Sequence, residues 1–250
     1  MTDIWILLRG LMREQRHWGG FPAVLGAALP GATIITPDLP GNGEHHALDS
    51  ATSVAEMVEF CRQDLLARGL APPYRLLALS LGGMVAVEWA SRYPGEIASC
   101  VLINTSMRPY SPFYRRLRWQ NYPALLRQLL LGDQASQEAL ILRLTSCQHG
   151  AGNPALVEQW VAYQRQYPVS RRNALRQLLS AARFRAPASC PPLPLLVLAG
   201  AQDSLVDPAC SHQLAQAWRI ACETHPEAGH DLPLDQPDWV ARTLVRWLAH

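Results

Sequence analysis

A chain of 250 residues, 49% apolar and 17% charged, can bury a sizeable core and lacks the composition of a disordered protein. Its apolar runs fall short of a membrane span, and Ile4 to Leu8 is too short and too poorly flanked by basic residues for a signal peptide; the expectation is a cytoplasmic protein. The six cysteines show no C-x-x-C and no zinc-like spacing, so they read as reduced thiols and no metal is expected.

Ile4-Trp5-Ile6-Leu7-Leu8 is an unbroken apolar run, the pattern of a strand covered on both faces of a parallel sheet. After Arg9-Gly10-Leu11, a helix is expected over 18–29, stopped by Pro30-Gly31. Residues 33–36 form a second strand that runs into a turn-rich loop, Pro37-Asp38-Leu39-Pro40-Gly41-Asn42-Gly43. Ser53 and Glu56 make a capping box, after which Met57, Val58, Cys61 and Leu65 recur at helical spacing. Further strands are expected over 74–79, 97–103, 195–199 and 220–224, with helices over 82–93 and from Pro237 onward. This alternation predicts an α/β fold: a mostly parallel sheet of about six strands, with helices on both faces. Loops at the carboxyl ends of the strands are then the place for chemistry.

Residues 107–186 break the alternation. They read as helices, with Leu175, Leu178, Leu179 and Ala182 on one stripe and Leu156, Trp160 and Tyr163 on another. The net charge of +2 hides an asymmetry here. This segment holds twelve arginines against three carboxylates, a balance of +9, and the remainder carries −7. No lysine occurs anywhere in the chain.

In Ala78-Leu79-Ser80-Leu81-Gly82 a serine stands between an apolar run and a helix-forming stretch, with small residues two before and two after it. A serine in so sharp a strand-to-helix turn has a strained backbone, so its flanks must be small. The simpler alternative is a serine that caps a helix. The pattern resembles the nucleophile elbow of the α/β-hydrolase family, with alanine where glycine is commonest. The resemblance implies a Ser-acid-His order along the chain. Asp203 follows the fifth strand and His230 lies in the loop after the sixth, with Asp207 and His225 as rivals. It also implies an oxyanion hole built from the backbone N–H groups of Leu11 and Leu81. The family commonly has histidine where this chain has Arg9, which could bind a substrate carboxylate or pair with Glu14 or Asp38; structural pairing is the expectation.

By the same resemblance, residues 107–186 form a helical lid inserted after the fourth strand, and 1–106 with 187–250 form the core domain. An acyl chain is expected under Tyr110, Phe113, Trp119 and neighbouring apolar lid residues. A charged helix face is ordinarily solvated surface. The sharper reading of Arg115, Arg116, Arg172 and Arg176 is a docking face for an acidic carrier protein, since the likeness in length, triad order and basic lid extends to the carboxylesterases that cleave carrier-protein esters in biotin synthesis. The expected activity is hydrolysis of a carboxylic ester; the alternatives are a lactone, amide or thioester substrate, or a non-catalytic binding module of the same fold. No cofactor and no nucleic-acid partner are expected.

Overall fold

The computed structural model describes residues 3–149 and 153–249. Six parallel strands, β1 (Ile4–Leu8), β2 (Thr33–Ile35), β3 (Tyr74–Leu79), β4 (Ile97–Ile103), β5 (Leu195–Gly200) and β6 (Ala221–His225), form one sheet in the order β2-β1-β3-β4-β5-β6. The four inner strands are almost wholly buried because helices cover both faces. Side chains alternate between two cores. Ile6 and Leu8 of β1 join the core under α2 (Val54–Ala67) and α3 (Leu81–Arg92), where Met57, Val58, Val85 and Trp89 pack. Trp5 and Leu7 join the opposite core, with Phe21 and Leu25 of α1 (Phe21–Ala28) and Val240 and Leu244 near the chain's end.

The helix expected over 18–29 is split. Gln15–Trp18 is a 3₁₀ turn, and α1 starts only after Gly19, whose φ of +54° belongs to the left-handed region. Among the described residues, no helix is long and apolar enough to cross a membrane.

Between β4 and β5 the chain forms α4 (Phe113–Arg116), α5 (Tyr122–Leu131), α6 (Gln134–Thr145), α7 (Pro154–Gln166) and α8 (Arg171–Arg183). The two ends of this insertion meet at a bridge between Arg108 and Arg185, where Ala186 N–H donates to the Arg108 carbonyl at 2.7 Å. The insertion therefore leaves and re-enters the core at one neck. Past β5 lie α9 (Ala209–Trp218), α10 (Leu232–Asp235) and α11 (Pro237–Leu248).

The leucine stripe does lie on a helix, α8, but it is not that helix's buried face. The buried face is Asn173, Ala174, Gln177 and Ser180, while Leu175, Leu178 and Leu179 are exposed. The reason is what the core offers beneath it. Gln177 accepts from the Met12 N–H (2.8 Å) and donates to Asn42 Oδ1 (2.8 Å) and Ser50 Oγ (3.0 Å). Asn173 accepts from the Ser50 N–H and donates to the Leu48 carbonyl, both at 2.9 Å. Loop backbone groups that would be stranded under an apolar helix are satisfied by these amides.

Candidate active site

Ser80 occupies the turn between β3 and α3 with φ +57° and ψ −115°, a conformation that costs a non-glycine residue about 1–3 kcal/mol. Three hydrogen bonds hold it there: Ser80 N–H to the Ile103 carbonyl (3.0 Å), and Gly83 N–H (3.0 Å) and Thr105 Oγ1 (2.8 Å) to the Ser80 carbonyl. The small flanks have a visible cause. A Cβ on Gly82 would stand 2.3 Å from the Leu8 carbonyl oxygen, so only glycine lets α3 close against the end of β1. Gly10 lies opposite, where an added Cβ would come within 3.2 Å of the Ser80 Cβ.

His230 Nδ1 lies 2.6 Å from Asp203 Oδ2, with both side chains buried. The other Asp203 oxygen accepts from the N–H groups of Leu205 (2.9 Å) and Val206 (2.8 Å), which fixes the carboxylate's plane. Ser80 and His230 border one cavity of about 1020 Å³ together with Gly10 and Leu11. Among the described residues, the N–H groups of Leu11 and Leu81 donate to no carbonyl or side chain, and Leu81 opens a helix whose dipole favours negative charge at that end. The rivals lie elsewhere. Asp207 accepts from the Ala209 N–H and starts α9, and His225 packs edge-on against Trp239 at 5.3 Å.

Two neighbours of the site, Asn104 and Asp235, escaped sequence reasoning, and a third, Arg9, found a partner other than those expected. Asn104, at the end of β4 with φ +46°, donates to the carbonyls of Gly229 (3.0 Å) and His230 (2.8 Å) and accepts from the Gly200 N–H (2.9 Å). One side chain thus ties the loops carrying Asp203 and His230 to a central strand. Asp235 accepts from the N–H of Gly229 (2.8 Å), the N–H of Cys147 (3.0 Å) and Ser146 Oγ (2.5 Å), joining the histidine loop to the end of α6. Arg9 pairs with neither Glu14 nor Asp38. Its guanidinium forks onto Asp231, with Nη1 to Oδ1 at 3.2 Å and Nη2 to Oδ2 at 2.7 Å, and lies 4.7 Å over the Trp18 ring. An acid beside His230, matching an unexpected arginine beside Gly10 and Leu11, was the one signal available.

The loop after β1 is dense in buried charge. Arg13 pairs with Glu138 of α6 at 2.6 Å, stacks on Trp160 of α7 and meets His17 Nε2 at 3.0 Å. Burial, reinforced by Arg13 and Arg9, holds the His17 pKa well below the ordinary 6.5, so the ring is neutral. Burial pushes Asp38 the other way, up to about 7, against the opposing pull of the Glu44 and Gln15 N–H groups that it accepts from.

The insertion supplies most of the cavity wall, through apolar residues of its helices and not through the three named aromatics. Leu117, Tyr122, Leu125, Leu140, Leu175 and Leu178 line it. Tyr110 instead bonds to the Pro187 carbonyl and Trp218 Nε1 at the neck, and Phe113 and Trp119 point to solvent. Short α4 sits beside α9, so its aromatic face lies outside the cavity. Of the arginines, Arg116 donates to the Ala181 carbonyl and Arg176 to that of Ser50, while Arg115 faces Asp207 at 3.6 Å. Arg172 is the most exposed of the four and pairs with Asp49. Among the described residues, no three His, Cys, Asp or Glu side chains cluster as metal ligands would.

The pattern of the Alpha/beta hydrolase family matches residues 5–243. A pimeloyl-[acyl-carrier protein] methyl ester esterase from Chromobacterium violaceum is 32% identical over 164 residues; the match covers 65% of this chain and 54%, about half, of that protein. A candidate carbamate hydrolase, RutD, from Variovorax paradoxus is 29% identical, over 98% of this chain and 91% of the relative. Among solved structures, the enol-lactonase from Burkholderia xenovorans superposes with a TM-score of 0.81 at 19% identity, covering 100% of this chain and 92% of that one, a likeness of fold.

Proposed function

The chain belongs to the alpha/beta hydrolase family, and on that premise we propose that it is a serine hydrolase of carboxylic esters. Ser80 attacks the ester carbonyl after passing its proton to His230. Asp203 holds the imidazole in the tautomer that can accept that proton and stabilises the imidazolium. The oxyanion settles against the N–H groups of Leu11 and Leu81, which need no reorganisation as charge develops. The alcohol leaves with a proton from His230. A water molecule, deprotonated in turn by His230, then releases the acyl group from Ser80.

The observation that carries this reading is the 2.6 Å His230–Asp203 contact on the same cavity as a serine held at φ +57°. A hydroxyl is a weak nucleophile without such a base, and a surface histidine has no use for a buried carboxylate. The test is hydrolysis of p-nitrophenyl esters from C2 to C12 by wild type and Ser80→Ala, with labelling of Ser80 by a fluorophosphonate. Turnover that is lost in the variant supports the reading; equal turnover in both contradicts it.

The natural ester we assign to an acyl chain on an acidic carrier, with the insertion serving as the lid over that chain. The name of the Chromobacterium relative supports it, as do the apolar wall of the cavity and the excess of arginine in residues 107–186. If turnover of a carrier-protein ester were unchanged up to about 0.5 M salt, electrostatic docking would be excluded, because screening then acts within a few ångström. The Variovorax relative keeps a carbamate or amide as the second reading, tested on the same enzyme with p-nitroanilides.

A further inference from the structure

The pair formed by Arg9 and Asp231 brings together the two loops that the proposed chemistry uses most. Arg9 precedes Gly10 and Leu11, which border Ser80, and Asp231 follows His230 directly. The residues are 222 apart in the chain, yet both oxygens of one and two nitrogens of the other engage, with side chains 6% and 3% exposed. The main chain at both ends is anchored as well. The Arg9 carbonyl packs where a Gly82 Cβ would be, and the Asp231 N–H donates to the Thr145 carbonyl at 2.7 Å. A buried ion pair of this kind is no economical source of stability, because desolvation offsets most of its attraction. Its value has to lie in what it orients.

We propose that Arg9 and Asp231 form a charge-balanced clamp that positions His230 against the oxyanion loop. This inference rests on the serine-hydrolase reading of the site. The fork fixes the direction in which the His230 main chain leaves its loop, in concert with Asn104 on the His230 carbonyl. The charge balance follows from adjacency. The Asp231 carboxylate alone would favour an imidazolium at His230, and the Arg9 cation alone would disfavour it; paired, they cancel. Arg9 is therefore a positioning residue in a place where the family commonly has histidine.

Other charged groups stand around His230. Asp203 is its own partner, Arg118 donates to the Asp203 carbonyl, and Asp235 and Cys147 lie behind the loop. Across the cavity are Arg13 with Glu138, and Asp133, Arg165 and Arg171; His17 sits behind Arg13. Glu138 is paired with Arg13, and Asp235 is held by the Gly229 N–H and Ser146 Oγ.

The experiment compares Arg9→Gln, Asp231→Asn, Arg9→Lys and the double variant Arg9→Gln/Asp231→Asn by kcat/KM against pH on a p-nitrophenyl ester, with thermal melts alongside. The acid limb of that profile reports the essential base of the free enzyme. Arg9→Gln should move it to higher pH and Asp231→Asn to lower pH, each by about one unit, the scale of a nearby charge. Arg9→Lys and the double variant should keep the limb within a few tenths of wild type, yet lose on the order of tenfold in kcat because the fork is gone. If a single variant does not fold, these two carry the test: the lysine keeps the charge and the double variant strands none. Limbs that shift in the same direction, or wild-type kcat in Arg9→Lys, would overturn the clamp. Absence of fluorophosphonate labelling at Ser80 in wild type would overturn the serine-hydrolase reading, and the clamp with it; labelled protein with unchanged profiles would overturn the clamp alone.

Discussion

The sheet core and the helical insertion are held together by different physics. Inner strands such as β3 and β5 bury nearly every side chain between two apolar cores. The insertion is fastened through amides and ion pairs instead: Gln177 and Asn173 of α8 on the Asn42 and Ser50 loop, Glu138 of α6 on Arg13, and Gln166 of α7 on Arg16 at 2.6 Å. Many of its leucines are left for the cavity and for solvent: Leu126, Leu130, Leu131, Leu175, Leu178 and Leu179 are all exposed, whereas Leu142 and Leu144 of α6 are buried. The two materials suit two tasks. A close-packed core keeps the ends of β1, β3, β4 and β5 at fixed spacing, which is what a 2.6 Å contact between distant loops requires. A wall of leucines hung on polar contacts can change its lining without disturbing that spacing.

Breaking the polar fastening should give the largest effect. Arg13→Met strands the buried Glu138 carboxylate and should cost about 3–5 kcal/mol in urea unfolding, whereas Arg13→Met with Glu138→Leu should recover most of it. Recovery would mark the pair as a fastening that apolar packing can replace; a double variant as unstable as the single would show that α6 needs the ions themselves.

The same substitution placed in each region sharpens the contrast. Leu77→Ala in β3 removes a fully buried side chain and should cost about 2–5 kcal/mol. Leu178→Ala, on the cavity wall and 38% exposed, should cost under about 1 kcal/mol but shift the preferred p-nitrophenyl ester toward longer or bulkier chains. Equal losses of stability at the two sites would erase the distinction.

The smallest effect is a matter of pH. His17 is buried between the two regions, with Arg13 on one side and Trp160 and Tyr163 on the other. Its folded pKa lies below the ordinary 6.5, so below that pH the unfolded chain binds more protons than the folded one. Stability is then lost as pH falls through 6.5. Replacing His17 with Gln removes this slope, so the stability advantage of wild type over His17→Gln should shrink between pH 7.5 and 5. A constant difference would contradict a neutral buried ring.

The sequence was most readable where one physical rule acted alone. Ile4 to Leu8 and Leu195 to Gly200 are apolar throughout because both sheet faces are covered, and the structure has strands there. Ser80, Asp203 and His230 could be singled out because each follows a strand in an order that one family uses. Rules in competition hid the rest. On α8 a leucine stripe marks a helix but not the face it buries, and the polar loop beneath it favoured Asn173 and Gln177. The aromatic residues of α4 and its flank looked like a lining, but docking beside α9 left Phe113 and Trp119 in solvent. Asn104 carries no local signal, since its three partners, one at the end of β5 and two in the loop after β6, lie about a hundred residues away or more. Arg9 announced itself as unusual, but its partner depended on which loops the sheet brings together.

The most direct measurement is the hydrolysis of the p-nitrophenyl ester series by wild type, Ser80→Ala and Asp203→Asn, with fluorophosphonate labelling followed by mass spectrometry. The account predicts a labelled Ser80 in wild type, no turnover above background in Ser80→Ala, and a fall of about 10⁴-fold in kcat in Asp203→Asn, where the imidazole is held in the wrong tautomer. Hydrolysis that survives in Ser80→Ala, or a label that lands on another residue, would contradict it.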